Sequence, residues 1–221
     1  MFVGHYSVAF AVKSEENKIP LWVLFVGVQL LDFLWAPFVL LGIEKVRMVP
    51  GITATNSLDL YYMPYTHSLL GALIWSGAAF LIYKLAMGTK ASNMAALIVA
   101  FAVFSHWILD LIVHRPDLAI YDNTLKVGFG LWNYRGIEFA LEIAILVAGI
   151  IIYLKRNGAI VRKVSVIIFG AVLILIQAGN TFVRRPPSSD RAFAITALIF
   201  YTLFAGVAFL LEKRRALRST R

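Results

Sequence analysis

"SNMAALIVAFAVFSHWILDLIVH", residues 92–114, is long and apolar enough to cross a membrane, yet it carries His106, Asp110 and His114 near one end. A membrane-spanning helix needs about 20 mostly apolar residues. An Asp at the centre of such a helix costs about 2.5–3.5 kcal/mol on insertion scales. The segment therefore sets two questions, how many such spans the chain has and what satisfies the polar groups inside them.

Working outward, five more runs read the same way, at about 20–42, 66–87, 136–154, 163–183 and 191–211. The whole chain is 60% hydrophobic and only 15% charged over 221 residues. A soluble domain is nearer half apolar and a quarter charged. The runs are continuous rather than alternating, which argues against a membrane β-barrel. The expected fold is an all-α polytopic bundle of about six spans in a single domain, residues 1–221. Residues 2–12 are apolar but too short to span, so they form either an interfacial helix or a half-helix dipping into the bundle.

The net charge of +9 does not point to nucleic acid. The basic residues sit at the ends of apolar runs, as topology determinants do, with no basic stripe interleaved with stacking aromatics. Of 21 Lys and Arg, 13 fall on one side: Lys13, Lys18, Lys84, Lys90, Lys155, Arg156, Arg162, Lys163, Lys213, Arg214, Arg215, Arg218 and Arg221. The richer side is expected to be cytoplasmic, with both termini on it. The tail "EKRRALRSTR" reads as a stop signal for the last span. The opposite side has two long loops, about 43–65 and 115–135, rich in Tyr, Trp, Gly and Pro. Long loops on one face usually carry function, although aromatics there also suit an interfacial belt. The N-terminus lacks a basic region and a small-residue cleavage site, so it does not read as a removed signal peptide.

With no cysteine present, any metal would have to use His, Asp, Glu or water. The intramembrane acids are Asp32, Asp110, Glu138 and Glu142, and no Lys or Arg lies deep in any run. Lys84 is near an end and can snorkel. Protonation, hydrogen bonds, water or a bound cation must therefore satisfy the carboxylates. On a helix His106, Asp110 and His114 share one stripe, but the two histidines are about 12 Å apart along the axis. One adjacent pair can chelate, and His106 with Asp110 is favoured. His114, before Arg115-Pro116, reads as a helix-end residue capping carbonyls. Taken singly, the others have plain structural readings. His5 suits an interface, and His67 suits a first helical turn. Asp32 with Gln29 suits an interhelical clamp, and Glu138 with Glu142 suit a helix N-terminus. His and Asp recurring on three spans without a basic partner favours a shared site.

At these residues the chain resembles a family of bacterial inner-membrane proteins described as membrane-bound metal-dependent hydrolases. The motifs are Gly4-His5, Leu31-Asp32, Thr66-His67-Ser68-Leu69 and Ser105-His106-x-x-x-Asp110, in that order, over about the first 115 residues. "HRPDL" and "KVGFGLWN" resemble a subgroup. The family's first acidic motif often has two Asp and a His, where this chain has "LDFLW". The resemblance implies a metal centre of His5, Asp32, His67, His106 and Asp110, and a location in a bacterial inner membrane. Geometry weighs against His5, since about 12 Å of helix rise from Lys13 reaches the midplane but stops short of Asp110.

Imidazole with carboxylate suits Zn²⁺ best, with Mn²⁺ or Fe²⁺ as alternatives. Glu142 or Glu138 would act as general base, and Tyr65 or Ser105 would orient ligands. A bilayer-embedded site implies a lipid or lipid-linked substrate such as a phosphoester. Two other classes share the same residues: a proton- or ion-coupled transporter, which matched helix breaks would favour, and a non-catalytic membrane scaffold.

Overall fold

The computed structural model describes residues 1–157, 163–183 and 189–219, with side chains to Glu212. Arg162, Arg184, Arg185 and the basic side chains of the tail from Lys213 onward, all used in the charge count, lie outside the described residues. The elements in chain order are α1 (His5–Val12), α2 (Leu21–Val28), α3 (Leu30–Leu40), β1 (Lys45–Met48), β2 (Leu58–Tyr62), α4 (Leu69–Met87), α5 (Asn93–Val113), α6 (Arg135–Arg156), α7 (Lys163–Ala178) and α8 (Asp190–Ser219).

Among the described residues five helices are long and apolar enough to cross a membrane, and α2 with α3, bent by 52° at their junction, brings the number to six where the pair counts as one broken span. Membrane-scale helices thus build the bundle that the apolar runs imply. Their ends follow local chemistry. Ser68 Oγ accepts the Gly71 N–H at the start of α4, and Ser92 Oγ accepts the Ala95 N–H at the start of α5. Such caps satisfy amides that have no partner inside the helix. Lys84 turns back at the end of α4 to the Ala91 carbonyl and Asn93, which keeps its charge at the helix end. The outer faces of α4, α7 and α8 expose Leu81, Ile82, Ile167, Leu175, Ile199 and Leu203, surfaces suited to lipid.

Three features refine the reading of the apolar runs. First, of the two forms expected for the N-terminal segment, α1 takes the one inside the bundle and not the interfacial one: His5, Tyr6, Ala9 and Phe10 are fully buried. It packs on α6, where Gly149 lets the backbones close, since a Cβ there would run into the Ser7 carbonyl. Tyr6, Phe10, Phe25, Tyr153 and Phe169 form the aromatic packing around it. Second, the first span is broken at Gln29, whose backbone leaves the helix at φ −113°, ψ 9°. Third, the first long loop carries an antiparallel hairpin, with Lys45 opposite Tyr62 and Met48 opposite Leu58. A second apolar cluster beneath it joins Trp35, Val39, Leu58, Leu60, Leu118 and Trp132, so both long loops close over the same end of the bundle.

Candidate metal centre

The structure brings His5, Asp32, His67, His106 and Asp110 to one place. His106 Nε2 is 3.1 Å from Asp110 Oδ2 and 3.8 Å from Asp32 Oδ1. His67 Nε2 is 3.3 Å from Asp32 Oδ1 and 3.8 Å from Asp110 Oδ2. His5 Nε2 is 3.2 Å from Asp110 Oδ1, and its ring stacks on that of His106 at 3.9 Å. Two groups of donor atoms have all members within 4.8 Å of one another: His5, His106 and Asp110, and Asp32, His67 and His106.

Each side chain arrives by a separate route. Asp110 and His106 are one turn apart on α5. Asp32 stands in the first turn of α3, just past the break. His67 precedes the Ser68 cap of α4. His5 begins α1, which reaches Asp110 because the whole helix sits inside the bundle rather than rising from Lys13 at the surface.

The far sides of the rings set their tautomers. His106 Nδ1 lies 2.7 Å from the Val28 carbonyl, which the break at Gln29 leaves at a helix end. A carbonyl only accepts, so Nδ1 carries the proton and donates. His106 Nε2 then presents its lone pair to a carboxylate oxygen 3.1 Å away, off the line of a hydrogen bond. Two acceptors held so close in a buried site require a shared cation, a proton or a metal ion.

His67 has a parallel arrangement. The Thr66 hydroxyl donates to Glu44 at 2.6 Å and lies 2.7 Å from His67 Nδ1. With Glu44 ionised, Thr66 is a donor to it and an acceptor from His67, leaving the lone pair on Nε2. Burial pushes the Glu44 carboxyl above its ordinary value, while His67 and donors from Thr66 and Tyr65 push it back. His5 differs, since neither of its ring nitrogens has a well-formed hydrogen bond among the described residues.

His114 differs from the helix-end cap expected of it: its ring meets two carboxylates and no carbonyl among the described residues. Nδ1 pairs with Asp117 at 2.8 Å, and Nε2 faces Asp110 Oδ2 at 3.5 Å. The 12 Å rise between His106 and His114 is bridged because both rings lean toward the carboxylate midway between them. Asp117 is held in turn by Arg115 at 3.1 Å, and Arg115 also pairs with Asp59 of the hairpin.

The carboxylates find more partners than a count of Lys and Arg suggests. The α-amino group of Met1 lies 2.6 Å from Asp110 Oδ1. The Tyr201 hydroxyl on α8 donates to Asp32 Oδ2 at 2.8 Å, so Asp32 does tie one helix to another. Glu142 accepts the N–H groups of Phe2 at 3.1 Å and Gly4 at 2.9 Å, and so anchors the segment that leads into α1. Glu138 accepts from Gln177 at 3.3 Å through one oxygen, and its other oxygen has no hydrogen-bond partner among the described residues. Ser105 donates to the Ala102 carbonyl of its own helix, and the Tyr65 ring is half exposed. Thr66 and Glu44, rather than these two, orient a histidine. Glu44 and Tyr201 carry no marker in a single sequence, and Thr66 and Asp117 stand in quoted motifs that assign them no role, because the roles come from contacts made on folding.

A cavity of about 720 Å³ opens beside the cluster, and Asp32, His67, Asp110, His114, Glu138 and Glu142 line its polar end. No protein-family model matches the chain, and no similar curated protein or solved structure was found.

Proposed function

We propose that the chain is a membrane-embedded metal-dependent hydrolase acting on a lipid or lipid-linked phosphoester. The observation that carries the reading is the facing of His106 Nε2 and Asp110 Oδ2 at 3.1 Å without a hydrogen bond. Buried polar groups are normally hydrogen-bonded, so donors aimed past one another at a common point suit a coordinated ion.

The donor set fits a divalent metal. His106 and His67 each offer an Nε2 lone pair while the opposite nitrogen is held, the usual way a protein orients a ligating imidazole. Asp32 and Asp110 supply the charge, and His5 completes the set. One lone pair on His106 serves one ion, so the two donor groups that share it are alternatives at that residue. Nitrogen and carboxylate oxygen suit Zn²⁺, with Mn²⁺ or Fe²⁺ as other candidates. Such an ion supplies Lewis acidity and lowers the pKa of bound water. Of the two glutamates that line the cavity, Glu142 is engaged by backbone amides, which leaves Glu138 as the better placed for proton transfer. The resemblance to membrane-bound metal-dependent hydrolases of bacterial inner membranes agrees with this reading. The distribution of basic residues supports a cytoplasmic position for both termini.

A transporter reading draws on the break at Gln29, because broken helices line ion sites in carriers. Metal analysis decides between them. Protein purified without chelator is expected to hold about one or more Zn²⁺, Mn²⁺ or Fe²⁺ per chain, and His67→Ala and Asp110→Asn are expected to lose it. Wild-type protein that stays metal-free after incubation with all three ions would overturn the hydrolase reading and leave a proton-coupled carrier or a non-catalytic scaffold. A reporter fused after Arg221 that reads as periplasmic would overturn the orientation.

A further inference from the structure

The cavity has a second end, formed by side chains other than those of the metal centre. It runs between α7 and α8, where Ile176, Val183, Phe193, Ala197 and Phe200 form an apolar arm. Helix α7 packs on α6, whereas α8 packs on α2 and α3, so the two bracket the arm from opposite sides. At this level α7 gives way to a π-helical turn, Gly179–Val183, a form that recurs at functional sites. Val183 lines the arm yet is 70% exposed, and Thr196 and Asn180 also line it while exposed. The arm therefore opens sideways. The surfaces flanking the opening carry Leu175, Ile199 and Leu203, all exposed, and are the faces that lipid covers in a spanning helix.

We propose that this arm admits the hydrocarbon chain of a membrane amphiphile directly from the bilayer, between α7 and α8, and holds it with the polar head at the His/Asp cluster. The proposal rests on the reading of the polar end as the reacting centre and adds the substrate's form and route. Apolar lining with a few polar groups at one end is the usual make-up of a small-molecule site, and about 300–1,000 Å³ is the usual size. Here the ionisable groups lie at the cluster end, Gln177 and the buried Thr181 stand at its neck beside Glu138, and the polar groups of the arm, Asn180 and Thr196, are exposed at its mouth. An extended polar substrate would bury its far end against Phe193 and Phe200 without partners, at a cost of about 1–3 kcal/mol for each unpaired group. A hydrocarbon chain meets no such penalty, and it reaches the opening without crossing water. A water-soluble substrate would instead use the hairpin end, where Met48, Asn56 and Leu58 line the cavity.

The test uses the full chain in lipid nanodiscs containing phosphatidylglycerol with a photoreactive diazirine at the end of one chain. Cross-linked peptides are mapped by mass spectrometry, and metal content is measured in the same samples. Labelling is expected within 176–183 and 193–200 as well as on the outward face of α4 at Leu81, Ile82 and Leu85. Ala197→Trp fills the arm, and Thr196→Trp blocks its mouth from an exposed position that leaves the core intact. Each is expected to reduce labelling in the two arm segments about ten-fold, a loss of about 1.4 kcal/mol, with α4 labelling and metal content unchanged. Labelling confined to α4 and other outward faces, or arm labelling that neither variant reduces, overturns the proposal in favour of a substrate entering at the hairpin end. Arm labelling that both variants reduce in a protein without metal would uphold the chain site while removing the hydrolase reading.

Discussion

At the scale of single residues, the candidate site depends as much on what holds the histidines as on the histidines themselves. The Thr66 hydroxyl sits between Glu44 and His67 at 2.6 and 2.7 Å. Replacing Thr66 with Val keeps the shape and removes the hydroxyl. Loss of a group that orients a metal ligand typically costs 10–100-fold in metal affinity. Thr66→Val is therefore expected to weaken metal binding by about that factor, measured by competition with a chromogenic chelator. Ser105→Ala is the comparison, because its hydroxyl bonds only within its own helix; its affinity is expected to stay at the wild-type value. Equal affinities for all three proteins would mean that the Thr66 hydroxyl does not position His67 for a metal ion. The histidines and aspartates were legible in the sequence because charge inside an apolar run is costly and must have a reason. Glu44 was not, and Thr66 was visible only as a motif residue without a role, since a threonine and a loop glutamate carry no such anomaly until the chain folds them together.

Among the elements, the pattern of apolar residues predicts spans but not their interruptions. Nothing in "LWVLFVGVQLLDFLW" marks Gln29 as a break, yet the break places the Val28 carbonyl against His106 and Asp32 beside His67. For α1 the apolar pattern left two placements open, at the interface or inside the bundle. Its eight residues are too few to span, and its burial comes from partners far along the chain, with Glu142 at its start and Asn157 near its end. Close packing through small residues is the general means by which membrane helices associate, and Gly149 provides it here. Gly149→Ala is expected to push α1 away from α6 at a cost of about 1–3 kcal/mol, the usual penalty of overpacking. The shift would also draw His5 away from Asp110. The measurement is thermal unfolding in detergent together with metal content, with Gly77→Ala as reference, because a Cβ at Gly77 meets nothing within 4 Å. If Gly149→Ala melts with Gly77→Ala and keeps full metal, the close contact of α1 with α6 does not position His5.

For the molecule as a whole, the remaining issue is whether an ion would hold the bundle together or serve a bundle already held. The packed apolar interior joins residues of all the helices from α1 to α8 without the cluster. The acids also keep partners of their own, since Met1 meets Asp110, Tyr201 meets Asp32, and backbone amides meet Glu142. Removing an ion would leave these contacts in place. A ligand that binds only the folded state stabilises by RT ln(1 + [L]/Kd), roughly 2.7 kcal/mol at a hundred-fold excess over Kd. Chelator is thus expected to lower the wild-type melting temperature by a few degrees and to leave the protein folded and able to rebind. His67→Ala, already short of a ligand, is expected to melt near the chelated wild type and to be nearly insensitive to chelator. In small domains that fold only around their metal, binding energy is folding energy and chelators denature the chain. If chelator unfolds this protein outright and His67→Ala fails to accumulate in the membrane, the ion is structural, and the hydrolase reading loses its basis even with metal bound.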